Sequence, residues 1–180
     1  MNPQNQILTS SITRRNFLSN SGKLATGGAL AGVALPMVHG QSSDITKLAL
    51  VGCGGRGTGA ASNALSVSAA NGPTKLVAMA DVFQSKLDQS YNGLVNKHKD
   101  QVDVPTDRKF IGFDGYQKAM DALDPGDVVI FTSPCAFRWV HYQYAIKRGL
   151  NVFMEKPVTA DGFSSRKMLE LNEEAKKLNL

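Results

Sequence analysis

The sequence is poor in the residues that build covalent or metal-held scaffolds. It contains two cysteines and three histidines among 180 residues. Two cysteines are too few for a disulfide framework. The histidines, His39, His98 and His141, form no metal-ligand spacing with Cys53 and Cys135. We therefore predict no metal site.

A basic surface for nucleic acid is also missing, although the formal net charge is +5. Residues 1–40 carry three basic residues, Arg14, Arg15 and Lys23, and no acidic one. Without these three, 17 of the 20 basic residues remain against 15 acidic ones, and they form no stripe. We therefore predict no nucleic-acid partner. The apolar fraction of 42% is typical of a soluble globular chain.

The amino-terminal segment lacks an apolar run of membrane-spanning length. Arg14 and Arg15 precede a run over 24–38 that is rich in alanine, glycine, leucine and valine. A bilayer span takes about 20 apolar residues, so this run is shorter than a membrane-spanning helix needs to be. The paired arginines resemble a twin-arginine export signal, and residues 38–40 offer a cleavage site.

We therefore predict a twin-arginine signal peptide over 1–40, with the export machinery as a partner and a periplasmic or exported location. A polar linker over 41–46 follows. A retained membrane tether, or an amphipathic helix belonging to the domain, is the alternative.

Three glycines with dinucleotide-binding spacing follow a short apolar run over 47–51. Gly52 permits a tight turn, Gly54 lets the backbone approach a pyrophosphate, and Gly57 lets the following helix pack closely on the strand. The free N–H groups at the helix start, near Gly55, would face the phosphates. The motif predicts a dinucleotide site; a purely structural glycine turn is the alternative.

An acidic residue lies where such a site needs one. Asp81 ends a second strand pattern over 74–80 and lies 24 positions after Gly57, close to the roughly 20 expected for a ribose-binding carboxylate. It would accept hydrogen bonds from both ribose hydroxyls and repel a 2′-phosphate, which favours NAD over NADP. Arg56 is interpreted either as lying over the phosphates or as a solvated loop arginine.

Strand and helix patterns alternate from residue 47 to residue 180. Strands are predicted over 47–51, 74–80, 109–113, 127–132 and 151–154. Helices are predicted over 58–70, 83–98, 116–123 and 137–148, and a last one begins at Asp161 or Ser164. This alternation predicts an α/β domain, a three-layer, Rossmann-type doubly wound parallel sheet. All five strands would end at one edge, where ligands bind.

Two further stretches lie at the ends of predicted strands. Thr132, Ser133 and Pro134 follow the fourth strand, with His141 in the next helix, and Glu155-Lys156-Pro157 follows the fifth. With the glycine motif and Asp81, they resemble the amino-terminal domain of the glucose–fructose oxidoreductase, inositol dehydrogenase and rhizopine-catabolism family, Gfo/Idh/MocA. The resemblance implies an NAD(P)-dependent oxidoreductase that acts on a sugar, polyol or related hydroxy compound.

The resemblance also implies roles for these residues. Lys156 matches the family's catalytic lysine beside the nicotinamide, where its charge would stabilise a developing alkoxide; otherwise it is a surface lysine before a turn proline. Glu155 would help to hold the cofactor region or the lysine. In the family, the bond corresponding to Lys156–Pro157 is often cis. The residues over 132–134 would contact the cofactor.

His141 has three possible roles on this basis. It falls where many family members have a histidine, and we expect it to be structural or to contact the cofactor. Direct proton transfer is the alternative.

Family members continue into an α+β substrate domain that this chain lacks. We therefore expect the chain to be a fragment or a truncated product of a longer oxidoreductase, with homo-oligomerisation an open possibility. An NAD-dependent glycosidase that uses transient oxidation, and a non-catalytic nucleotide-binding module, are the alternative functions.

Overall fold

A five-stranded parallel sheet lies at the centre of the computed structural model, which describes residues 45–67 and 72–180. The signal peptide predicted over 1–40 lies outside the described residues, as do residues 41–44 of the predicted linker. Within the described ranges, no helix has both the length and the apolar character needed to span a bilayer. The export route and the segment boundaries therefore stay predictions.

The sheet is doubly wound. Its strands are β1 (Thr46–Val51), β2 (Thr74–Asp81), β3 (Lys109–Ile111), β4 (Val128–Phe131) and β5 (Asn151–Met154). They are all parallel and lie in the order β3-β2-β1-β4-β5. The chain thus moves outward from β1 in one direction and then returns to build β4 and β5 on the other side. This confirms the predicted α/β Rossmann-type sheet, and it opens a crevice at the carboxyl ends of β1 and β4.

Helices cover both faces of the sheet. They are α1 (Gly55–Ser66), α2 (Gln84–His98), α3 (Gly115–Asp121), α4 (Cys135–Lys147) and α5 (Gly162–Lys177). The first two pack on one face, and α3 and α4 pack on the other. The last helix, α5, packs against α4 through Leu171 and Ala175.

The burial of the central strand β1 explains why the buried parts of the strands are continuous apolar runs. Leu48 and Leu50 are buried with the side chains of α1 and α2, whereas Ala49 and Val51 are buried with those of α3 and α4. Because successive side chains alternate between two covered faces, every position from Leu48 to Val51 is apolar. The fully buried residues Val129 to Phe131 of β4 follow the same rule.

Two predicted helix starts are corrected by the structure. The helices expected from residues 58 and 137 begin at Gly55 and Cys135, and α1 ends at Ser66 rather than at residue 70. Apolar periodicity locates the buried part of a helix. The first turns of α1 and α4 lie at the sheet edge and expose most of their side chains, so this signal does not mark them. The other boundaries differ by at most two residues.

Candidate functional site

A cavity of about 740 Å³ opens at the carboxyl edge of the sheet. The segments that follow all five strands contribute to its lining. Most of the residues predicted for the site line it, namely Gly52, Gly54, Arg56, Asp81, Thr132, Ser133, Pro134, His141, Glu155 and Lys156. Gly55 and Gly57 do not. Gly55 faces a groove between α1 and α2, and Gly57 is buried behind the loop.

The glycine loop packs tightly against the strand ends at two of its glycines and leaves space at the third. Gly52 has φ +97°, and a Cβ there would lie 2.6 Å from the Ser133 nitrogen. A Cβ on Gly57 would collide with the Gly52 carbonyl and lie 2.5 Å from Thr132 Oγ1. A Cβ on Gly54 would meet no atom within 4 Å. Two glycines thus allow close packing against the strand ends, and the third leaves the backbone accessible from the cavity.

Helix α1 starts at this loop with its N–H groups free for a ligand. Gly54 is the N-cap residue, and the first helical bond runs from Thr58 N to the Gly54 oxygen at 2.9 Å. The N–H groups of residues 55–57 therefore precede the bonds that the helix makes itself. The first turn carries no acidic side chain. This end of the helix can accept an anion such as a phosphate.

Asp81 ties the glycine loop to the end of β2. Its Oδ2 accepts a hydrogen bond from Cys53 N at 2.6 Å, and its Oδ1 accepts one from Phe83 N at 2.9 Å. Each carboxylate oxygen has a second lone-pair direction. Asp81 can therefore hold the loop and still accept bonds from a ligand. Sequence reasoning predicted only the ligand contact.

Arg56 and Glu155 form an ion pair across the cavity. Arg56 Nη2 lies 2.8 Å from Glu155 Oε2, and the side chains are 67% and 8% exposed. The hydrogen bond from Arg56 lowers the pKa of Glu155, which therefore stays ionised at neutral pH. In this structure Arg56 is thus an exposed arginine that is paired with Glu155, and its contact with phosphates stays a prediction.

Lys156 lies on an exposed turn after β5. Its predecessor, Glu155, is anchored to β4 by a bond from its own nitrogen to the Phe131 oxygen at 3.0 Å. The Lys156–Pro157 peptide bond is cis, as the resemblance implied. The Lys156 side chain has no hydrogen-bond partner within the described part of the chain, and it lines the cavity.

Arg138 lines the same cavity and was missed by sequence reasoning. It is 4% exposed and donates to two backbone oxygens, those of Ser133 and Pro157, each at 2.8 Å. The available signal was an isolated cation in the apolar stretch Ala136 to Val140. A charged residue among apolar ones on a helix has to find polar partners when it is buried.

His141 is buried and neutral. Its Nδ1 lies 3.2 Å from Ser133 Oγ, and its ring stacks on Tyr116 with centroids 4.1 Å apart. Burial, helped by the positive charge of Arg138, lowers the pKa of His141 to about 4. The ring is therefore held by stacking and stays neutral at pH 7, and the expected structural or cofactor-contact role stays a prediction.

The two cysteines differ in their surroundings. Cys53 is buried beneath the glycine loop, where burial raises the pKa of its thiol. Cys135 is half-buried and lines the cavity. Among residues 45–67 and 72–180, no three histidine, cysteine or acidic side chains converge on a point where a metal ion could bind.

No protein-family model matches the chain, and no curated protein sequence matches it either. Solved structures of similar fold include the WlbA dehydrogenase from Chromobacterium violaceum in complex with NADH and UDP-GlcNAcA. It is 22% identical over 77% of this chain and 34% of that chain, with a TM-score of 0.53.

Two further structures are similar to the same extent. One is scyllo-inositol dehydrogenase from Lactobacillus casei with bound NAD(H) and scyllo-inositol, with 22% identity over 75% of this chain and 34% of that chain and a TM-score of 0.53. The other is KijD10, a 3-ketoreductase from Actinomadura kijaniata in complex with NADP and TDP-benzene, with 18% identity, 75% and 35% coverage and a TM-score of 0.52. The chain spans about a third of the length of these proteins. The likeness confirms a Rossmann-like fold.

Proposed function

We propose that the chain is the nicotinamide-dinucleotide-binding domain of an oxidoreductase of the Gfo/Idh/MocA family. One observation carries this proposal. The glycine loop, Asp81 and Lys156 lie at the carboxyl ends of three different strands, and they line a single cavity there. The dehydrogenases and the ketoreductase of similar fold, which hold NADH, NAD(H) or NADP, support it.

The described residues fit a dinucleotide in shape and in charge. The open backbone at Gly54 leaves room for a diphosphate next to the N–H groups of residues 55–57. The exposed ring of Phe113 and the half-exposed ring of Phe137 lie at the cavity and offer apolar surface to flat heterocyclic rings. The helix start would thus hold the central diphosphate of such a ligand, and the aromatic side chains would contact a terminal ring.

NAD is the cofactor that the site favours. Asp81 places a carboxylate at the end of β2, where the ribose of the adenosine half binds in this fold. Its remaining lone pairs suit two ribose hydroxyls, and its charge opposes a 2′-phosphate. Similar structures hold either cofactor, so this preference comes from Asp81 alone.

The proposed reaction is the oxidation or reduction of a sugar, polyol or related hydroxy compound. When bound, the nicotinamide would supply the hydride acceptor or donor. Lys156 would donate a hydrogen bond from its Nζ to the reacting oxygen of the substrate. Its positive charge would stabilise that oxygen as it becomes negative. The remaining substrate contacts would come from a second domain of a longer protein.

Calorimetric titration of the full chain with NAD and with NADP tests the proposal. We expect NAD to bind more tightly than NADP. In Asp81→Ala, we expect NAD affinity to fall about tenfold or more, because a hydrogen bond to a charged group is worth at least that factor. The preference should move toward NADP because the repelling charge is gone.

Asp88→Ala is the matched control, since Asp88 is an exposed acid on α2 whose carboxylate, among the described residues, accepts a hydrogen bond from Gln84 alone. It should bind NAD like the unmodified chain. If the folded chain binds neither dinucleotide, the proposal is wrong. If it binds both equally and Asp81→Ala changes nothing, the assignment of NAD is wrong.

A further inference from the structure

Arg138 is the one buried arginine among the residues that the structure describes. It enters the cavity from the first turns of α4, three residues after the helix begins. Its neighbours in sequence, Phe137 and Trp139, are at least partly exposed. The charged side chain is therefore more deeply buried than the aromatic side chains on either side of it.

The guanidinium of Arg138 joins two loops that are separate in sequence. Nε donates to the Ser133 oxygen in the loop after β4, and Nη1 donates to the Pro157 oxygen in the turn after β5. Both bonds measure 2.8 Å. Pro157 directly follows Lys156, so one of these bonds fixes the chain immediately beyond the lysine.

The residue on the other side of Lys156 is also held by an arginine. Glu155 accepts from Arg56 at 2.8 Å. Lys156 itself is exposed and makes no side-chain hydrogen bond within residues 45–67 and 72–180. The Lys156 side chain thus carries no restraint of its own in this structure. The backbone on one side of it is held by the bond from Glu155 N to the Phe131 oxygen, and the backbone on the other side is held by Arg138.

The two bonds of Arg138 require the planar fork of an arginine. A lysine in its place has a single ammonium group, which could reach one of the two carbonyls but not hold both in the fixed geometry that a guanidinium imposes. A buried cation whose hydrogen-bond partners are backbone carbonyls also costs desolvation free energy. Arrangements that cost stability in this way concentrate at functional sites.

We propose that Arg138 is a positioning residue that sets the place of Lys156 at the mouth of the cavity. This inference rests on the proposed function, in which Lys156 contacts the reacting oxygen. Arg138 acts through the Pro157 carbonyl and the Ser133 carbonyl. It brings the turn after β5 to a fixed distance from the loop after β4, on which the nicotinamide end of a dinucleotide would rest.

Nuclear magnetic resonance of the ¹⁵N-labelled full chain tests the backbone part of the inference without any ligand. In the unmodified chain, the amides of Lys156 and Val158 should have order parameters near 0.85, as in rigid backbone. In Arg138→Ala they should fall below about 0.6 while those of the strands stay unchanged. Arg138→Lys should fold and keep the positive charge, but the order parameters of Lys156 and Val158 should stay as low as in Arg138→Ala.

Arg148→Ala is the matched control, because Arg148 lies at the other end of α4 and donates to the Leu123 oxygen. It should leave Lys156 and Val158 ordered. The inference is overturned if the two order parameters keep their values in Arg138→Lys, or if they fall together with those of the whole sheet.

NAD added to the same samples separates positioning from a general loss of structure. In the unmodified chain, NAD should shift the signals of both Gly54 and the Lys156 side chain. Arg138→Lys should keep the shift at Gly54 and lose most of the shift at Lys156. Equal retention of both shifts would contradict a positioning role. If the unmodified chain shows no NAD response, the proposed function fails, while the order parameters still decide whether Arg138 fixes the turn.

Discussion

At the residue scale, two glycines of α1, Gly57 and Gly59, differ in the space around them. A Cβ on Gly57 would collide with the Gly52 carbonyl, whereas a Cβ on Gly59, two residues further along α1, would meet no atom within 4 Å. The sequence spacing assigns a role to the first of these and none to the second. Substitution by alanine at each of the two positions therefore compares a methyl group that collides with other atoms and one that does not.

Gly57→Ala should destabilise the protein and weaken dinucleotide binding. The added methyl group must displace either the Gly52 carbonyl or Thr132, and overpacking of this kind costs about 1–3 kcal/mol. Because the displaced atoms belong to the glycine loop, NAD affinity should fall more than stability alone explains. Urea unfolding and calorimetry on the same preparation measure both effects.

Gly59→Ala is the control for that substitution. Alanine is favoured over glycine inside a helix by about 1 kcal/mol, so this variant should be as stable as the unmodified chain or slightly more stable. Its NAD affinity should be unchanged. Similar losses in both variants would mean that α1 tolerates no methyl group anywhere and that the packing of Gly57 is not special.

His141 should make the stability of the protein depend on pH. Its pKa is lowered from 6.5 to about 4 by burial and by Arg138. The unfolded chain therefore binds a proton on this ring more readily than the folded chain does. The contribution is fully present above pH 6.5 and is lost as the pH falls toward 4, with a total of about 3 kcal/mol.

Urea unfolding of the unmodified chain and of His141→Phe between pH 7 and pH 4 measures this contribution. Phenylalanine keeps an aromatic ring against Tyr116 and removes the titrating group. The difference in unfolding free energy between the two proteins should change in favour of the variant as the pH falls. A difference that does not vary with pH would show that His141 titrates normally and is not buried as described.

At the scale of the elements, a buried acid aligns the start of β1 with the turn before β4. Asp127 is 1% exposed, and its two oxygens accept from Lys47 N at 3.0 Å and from Asp124 N at 2.9 Å. The turn and the neighbouring strand are thereby held in register. Three residues away, Asp124 is exposed and pairs with the Lys47 ammonium group at 2.6 Å.

Asp127→Ala should lower the free energy of unfolding by about 3 kcal/mol, since two backbone N–H groups lose a charged acceptor in a buried place. Asp124→Ala removes only an exposed ion pair and should cost about 0–1 kcal/mol. Thermal or urea unfolding of the two variants checks this contrast. Equal effects from the buried and the exposed acid would contradict the proposed alignment.

The elements were largely predictable because strands covered on both faces and helices covered on one face leave different apolar patterns. The run Val128 to Phe131 has no polar position, and the structure buries β4 between two helix layers. The first turns of α1 and α4 were not predictable from apolar spacing. Their N-cap residues, Gly54 and Pro134, make no side-chain cap hydrogen bond, so a capping motif does not mark these helix starts either.

Site residues were predictable only where their chemical type and their spacing along the chain together form a known motif. The glycine loop and Asp81 carry such a signal. The pair of Arg56 and Glu155 spans 99 positions, and the bond from Arg138 to Pro157 spans 19 positions and joins two strand ends. These contacts depend on which strand ends become neighbours, and a sequence pattern does not state the strand order.

At the scale of the whole molecule, charged side chains from several elements meet at one edge of the sheet. The two faces of the sheet are buried in apolar side chains, while the carboxyl edge gathers Arg56, Asp81, Arg138, Glu155 and Lys156 around one cavity. Ligands of doubly wound sheets bind at this edge because every strand delivers a loop to it. The central claim is that a nicotinamide dinucleotide binds there.

A titration of the ¹⁵N-labelled full chain with NAD, followed by amide chemical shifts, shows directly where the dinucleotide binds. We expect shifts to cluster in the segments after β1, β2, β4 and β5, around residues 52–58, 81–83, 132–135 and 155–158, and the sheet edge at the opposite strand ends to be unaffected. Shifts located elsewhere, or none at millimolar NAD in a folded sample, would contradict it.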